Sequence, residues 1–201
     1  MAPGRWAAVV AVIGAAACAS TARRGDDLGP PAAAAMQVAA ESIVWTAERR
    51  LTWDDFQGRP DITSGAGAMT VYLLSYDGTC LGETFDSRVF SAFLPDQSWV
   101  KAAVLLAPAR VSQQALAHEQ THFDLSEVSA RRMRRAIAAL TQPCSMSDEQ
   151  LNAVVDPFLR GDFERQRRYD RDTGYGSVST WQRDWDVRVG RELTELSAYV
   201  R

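Results

Sequence analysis

The sequence predicts an α+β fold: N-terminal antiparallel strands, then a helical half that carries an H-E-x-x-H helix. Three observations predict it. Short β-branched and aromatic runs crowd the first half of the chain. Long stretches with helical apolar period fill the second half. The order, strands first and helices after, favours α+β over alternating α/β.

Taken in order, Ile43 to Leu51 and Thr70 to Tyr76 read as strands, and Asp77-Gly78 reads as a turn after the second. A third strand, Val89 to Leu94, is ended by Pro95-Asp96. Trp99 to Leu106 is apolar and fits strand or helix. Ser112 suits the N-cap of a helix running to about Leu140, with Leu116, Phe123 and Ile137 on its stripe and Leu125, Val128 and Met133 widening it. The cluster Arg131, Arg132, Arg134 and Arg135 fits a solvated helix face. Pro143 ends this helix. Ser147-x-x-Gln150 is a capping-box pattern for the next one, with Leu151, Val154, Val155 and Phe158 on its buried side. Gly174-Tyr175-Gly176 breaks the pattern. A last helix begins near Ser177, with Trp181, Trp185, Val189, Leu193, Leu196 and Val200 as its apolar stripe. Trp53 reads as a strand anchor.

The chain has 201 residues, enough for one domain and a tail. Its net charge of -3 offers no electrostatic case for nucleic acid. Residues 1–20 read as an export signal: Arg5 is the positive region, Trp6 to Ala17 the apolar core, and small residues follow. The run into Cys18 fits a bacterial lipobox, and Ala17-Cys18-Ala19 also fits an ordinary A-x-A site. The expectation is a periplasmic or cell-envelope protein, lipid-anchored at Cys18 or otherwise secreted. Membrane contact would run only through that lipid. Residues 21–40, rich in Ala, Pro, Gly and Asp, read as a flexible tether. Residues 41–201 remain as the folded domain. An oxidising compartment suits a disulfide between the two remaining cysteines, Cys80 and Cys144.

The chain holds two histidines, in His118-Glu119-Gln120-Thr121-His122. A helix turns about 100° per residue, so this spacing stacks both imidazoles on one face. Two neutral rings there can ligate one Zn²⁺ per chain, and Glu119 stands where the general base of an H-E-x-x-H peptidase stands. With no third histidine, a further ligand is needed. Taking His118 as zero on the helical wheel, Glu127 falls at about 180° and Asp124 at about 240°, away from both rings. The segment Tyr169 to Gly176, read as a loop beside a helix break, is the better source. Asp170 is the first choice, Asp172 the second, and Tyr175 could donate its hydroxyl to a developing oxyanion.

Leu116 to Asp124 resembles the H-E-Q-x-H-F-D signature of bacterial predicted secreted zinc-dependent proteases, a family formerly known as a domain of unknown function. Leu51 to Gly58 resembles that family's L-x-W-x-D-F-x-G opening. Ser98-Trp99-Val100 is similar to its apolar segment before the active helix. Tyr169-Asp170, Thr173, Gly176, Gln182 and Trp185 resemble its Y-D-x-x-T-x-H-G…Q-x-x-W ending, with Tyr175 where the family tends to have His. The resemblance spans about residues 43 to 190. It implies a zincin-like metallopeptidase domain over 41–201 acting on a peptide or protein substrate. Asp172-x-x-Tyr175-Gly176 also resembles the D-x-x-Y-G ending of the deuterolysin-type aspzincins, which favours Asp172 as ligand. The alternative function is a non-catalytic, zinc-containing envelope binding module. A purely structural lipoprotein would hold no stoichiometric metal.

Overall fold

A computed structural model describes residues 9–14 and 42–200 of the chain. Within the expected signal segment only the backbone of Val9–Gly14 is described. The rest of that segment, with Cys18, and the expected tether lie outside the described residues.

The architecture is α+β. Strands β1 (Val9–Gly14), β2 (Ile43–Val44), β3 (Ala68–Met69), β4 (Val71–Leu81), β5 (Thr84–Phe93) and β6 (Trp99–Val100) precede the long helices. One antiparallel sheet has the order β1-β4-β5-β2, and β3 pairs with β6 in a second. Helices α1 (Ala102–Leu105), α2 (Ala109–Ala138), α3 (Asp148–Thr173) and α4 (Ser179–Glu195) follow.

Several boundaries differ from the sequence expectation, each for a tertiary reason. The first strand stops at Val44; the Trp45 amide still donates to the Ser91 carbonyl of β5, and beyond it the segment turns to side chains of α2. The Leu51 amide donates to Gln120 Oε1 at 2.7 Å, and Trp45 Nε1 donates to Asp124 Oδ1 at 2.8 Å. Trp53 is no strand anchor. It sits in a 3₁₀ turn, Trp53–Asp55, and its indole donates to Ser112 Oγ at 2.9 Å. Ser112 is thereby spoken for, and α2 starts earlier, after Pro108. Asp77-Gly78 does not turn either. Strand β4 runs on to Leu81, and Gly82-Glu83 closes a two-residue hairpin loop. At Gly78 the Phe85 ring fills the place where a Cβ would stand, 2.5 Å away. The ambiguous segment splits into β6 and the short α1.

Helix α2 passes between the sheet and helices α3 and α4, which is why every residue from His118 to Arg131 is buried. Buried polar groups need partners, and these find them. Ser129 Oγ donates to Asp162 Oδ1 at 2.6 Å, and the Tyr72 hydroxyl donates to Oδ2 of the same carboxylate. Glu127 accepts from Arg131 Nε and from Arg134 Nη1, both at 2.9 Å. Of the arginine cluster only Arg135 is fully on a solvated face. Arg131 lies buried over the Trp45 ring, and Arg132 pairs with Glu192.

The capping box at Ser147 forms as expected: Gln150 N donates to Ser147 Oγ, and Ser147 N to Gln150 Oε1. In α4, Trp185, Val189 and Leu196 are buried, whereas Trp181 stands half exposed and leaves the expected stripe.

Cys80 and Cys144 form a disulfide that ties the hairpin tip to the segment after α2. Their sequence separation is 64. The chain-entropy relation assigns a loop of that size about 4 kcal/mol. Replacing both cysteines by serine should lower unfolding stability by about that amount, read from urea denaturation of the two proteins side by side.

Candidate metal centre

Helix geometry brings His118 and His122 together, with ring centroids 4.7 Å apart and planes at 87°. Their Nε2 atoms are separated by 3.2 Å. Asp170, from the last turns of α3, places Oδ1 at 3.0 Å from His122 Nε2 and 3.3 Å from His118 Nε2. The three donor atoms thus form a nearly equilateral triangle. A tetrahedral ion with bonds of about 2.0–2.1 Å spaces its donors roughly 3.3 Å apart. The triangle therefore matches one face of such a tetrahedron, and the buried group His118, His122 and Asp170 could hold a metal ion.

The outer nitrogens are also engaged. His118 Nδ1 lies 3.2 Å from Gln182 Oε1, and His122 Nδ1 lies 2.6 Å from Gln166 Oε1. Tyr169 stacks on the His118 ring at 4.7 Å and meets the His122 ring edge-on at 4.8 Å. Trp185 supports Tyr169 from behind at 5.4 Å.

Charge follows the same grouping. Burial pushes the Asp170 carboxyl up, but the two imidazoles outweigh it and hold the group well below the usual carboxylate range. Burial lowers His122, and Asp170 beside it more than reverses this, leaving the imidazole above its ordinary value.

Glu119 follows His118 on the helix and is buried. Its backbone carbonyl accepts from Thr70 Oγ1 at 3.2 Å. Its Oε2 is buried with no hydrogen-bond partner among the described residues. An unpaired buried carboxylate oxygen is costly. Among the described residues it is the one buried side-chain nitrogen or oxygen atom found without a partner.

The end of α3 closes the site. Gly174 caps the helix in the left-handed region, and the Tyr175 amide donates to the Asp170 carbonyl at 2.8 Å. Tyr175 itself has φ 55, an unusual conformation for a bulky residue, and is 56% exposed. Gly176 has φ 80 and lies so close to His118 that an added Cβ would stand 2.9 Å from its Cγ. Gly176→Ala should therefore strain the backbone and displace the ring. A loss of about 1–3 kcal/mol in stability together with weaker metal binding is expected, read by thermal denaturation and metal titration.

The other carboxylates lie elsewhere. Asp172 Oδ2 accepts from Trp185 Nε1 at 3.3 Å and faces Arg168. Glu127 is held by its two arginines, and Asp124 by Trp45, Gln120 and Arg50. Asp170, and not Asp172, joins the histidines. It does so from a helix rather than from the loop expected at Tyr169 to Gly176. Sequence reasoning missed Gln166 entirely, although its spacing of four from Asp170 places both on one face of α3.

A family model described as bacterial protein of unknown function (DUF922) matches residues 58–176, more than half of the chain. The chain belongs to this family. The DUF922 match holds all three members of the metal group and Glu119, and it ends at Gly176, so Gln182 and Trp185 lie beyond it. No curated protein and no solved structure matches the chain.

Proposed function

We propose that this DUF922 protein is an exported zinc-dependent metallopeptidase. The observation that carries the reading is the donor triangle of His118, His122 and Asp170 beside the unpartnered Oε2 of Glu119. A structural zinc site is closed by four protein ligands, whereas a catalytic one keeps a position open. Among the described residues the group has three members, which favours the catalytic kind over a zinc-containing binding module. When bound, Zn²⁺ supplies Lewis acidity toward a substrate carbonyl and makes a water easier to deprotonate.

The residues of the chain do the rest. His118, His122 and Asp170 hold the ion. Glu119 takes the proton of the attacking water and passes it to the leaving amine. Tyr175, exposed and next to the Gly176 that packs on His118, would donate its hydroxyl to the carbonyl oxygen as charge develops there. The substrate is a peptide or protein, and no nucleic-acid partner is proposed. The disulfide suits export to an oxidising envelope compartment, with Cys18 as the site of a lipid anchor.

The test is turnover. Zinc-loaded protein should cleave members of a broad peptide library, stop when a chelator strips the ion, and recover when zinc returns. One tightly held zinc with no cleavage of any peptide would replace the peptidase by the binding module.

A further inference from the structure

We infer that Gln166 and Gln182 are amide latches that hold His122 and His118 with Nε2 bare and turned to the metal position. The inference rests on the metal-centre half of the reading above. An imidazole ligates through one nitrogen, and the hydrogen bond at the other decides which. Here both Nδ1 atoms face glutamine side chains, and an amide end is either donor or acceptor. What lies behind each amide settles which end meets the ring.

Gln166 Nε2 donates to the His122 carbonyl at 3.0 Å. Gln182 Nε2 donates to Asp186 Oδ1 at 2.8 Å and reaches Thr121 Oγ1 at 3.3 Å. A carbonyl and a carboxylate can only accept, so flipping either amide would set oxygen against oxygen. The Tyr169 hydroxyl, 2.7 Å from Gln182 Oε1 and 3.2 Å from the His118 carbonyl, fits this orientation but does not decide it, since a hydroxyl can donate or accept. Both Oε1 atoms must therefore face the rings, and both Nδ1 atoms must carry hydrogen. Both Nε2 lone pairs then point at one another and at Asp170 Oδ1. Three lone pairs converging at such distances repel unless a cation lies among them.

The same bonds explain why the latch is an amide. Glutamate at 182 would face the Asp186 carboxylate, and glutamate at 166 the His122 carbonyl. Only a side chain that accepts at one end and donates at the other fits both positions. Gln166, Gln182, Asp186 and Tyr169 are positioning residues, since they act through the imidazoles.

The test uses the full-length protein loaded with cobalt(II), whose proton NMR spectrum shifts signals from ligand rings. Wild type should show two shifted imidazole N–H signals that exchange slowly with D₂O. Gln182→Met should lose the protection of one, and Gln166→Met of the other. Zinc affinity should fall roughly 10–100-fold in each. Asp186→Ala removes an exposed side chain and should give a milder form of the Gln182→Met spectrum, even if a methionine variant fails to fold. Two protected signals and unchanged affinity in every variant would overturn the latch alone. A wild-type protein that takes up neither cobalt nor zinc would remove the metal centre and the latch together. A loaded protein inert toward peptides, with the variant spectra as expected, would keep the latch and discard only the peptidase.

Discussion

Under the proposed peptidase reading, Glu119→Gln should keep one metal per chain and cleave peptides roughly 10²–10⁴-fold more slowly, the range that general-base catalysis supplies. The two halves of this result come from different atoms. Metal retention depends on His118, His122 and Asp170, whose donor triangle does not include Glu119. The rate depends on a carboxylate that can accept a proton, and glutamine keeps the shape while losing that capacity. The fold should tolerate the change, because Oε2 has no hydrogen-bond partner among the described residues to lose. Metal analysis and single-substrate kinetics on the same preparation read both halves. Wild-type turnover in the variant would remove Glu119 from the mechanism. Loss of metal would instead mean that this carboxylate reaches the ion.

Asp170→Ala has the second large effect, on the ion itself. Structural zinc bound by four ligands carries about 10–16 kcal/mol, or roughly 3–4 kcal/mol per ligand, so one lost ligand weakens binding by about 10²–10³-fold. Asp172→Ala, two residues along the same helix, should leave zinc affinity unchanged, which makes the pair a direct contrast. Protons compete for the same atoms. His122 sits above its ordinary value because of Asp170, so zinc affinity in the wild type should fall as pH drops through that raised value, about tenfold per pH unit for each proton displaced.

The metal-stripped protein offers a second readout. The Asp170 carboxyl is lowered in the fold. Its contribution is present above the unfolded carboxylate value and is lost as pH falls through the lower folded one. His122 is raised, so its contribution is present below the unfolded imidazole value and is lost as pH rises through the folded one. Both are fully present between about 3.9 and 6.5, the ordinary values of the two groups. Denaturation midpoints of chelated wild type and Asp170→Ala should differ most in that window and converge on either side. A gap that stays constant with pH would mean that Asp170 acts through packing and not through its charge.

Local patterns proved most legible in the sequence. His118, Glu119 and His122 lie within five residues of one helix, so about 100° per residue suffices to align the rings. The Ser147 capping box is equally local. The pairing of Cys80 with Cys144 needed only that two cysteines remain outside the expected signal. Element ends were less legible where side chains from far along the chain replaced local signals. Ser112 looked like an N-cap but bonds Trp53, and Leu51 looked like strand but bonds Gln120. Helix α3 runs through Asp170, where turn-rich residues suggested a loop, and ends only at Gly174, the break the sequence itself marked. Trp181 and Trp185 share an apolar pattern, yet only Trp185 finds a covering surface, in Tyr169.

By itself the sequence determined an α+β order, a two-histidine face with a carboxylate beside it, and two acidic candidates beside a helix break. Choosing between Asp170 and Asp172 required the tertiary structure. Two residues along a helix is a turn of about 200°, so one carboxylate must face α2 while the other faces away. Periodicity states that difference without its absolute direction. The direction comes from packing: Tyr169, buried against both imidazoles and Trp185, sets the roll of α3 and brings Asp170 Oδ1 to His122, 48 residues back in the chain.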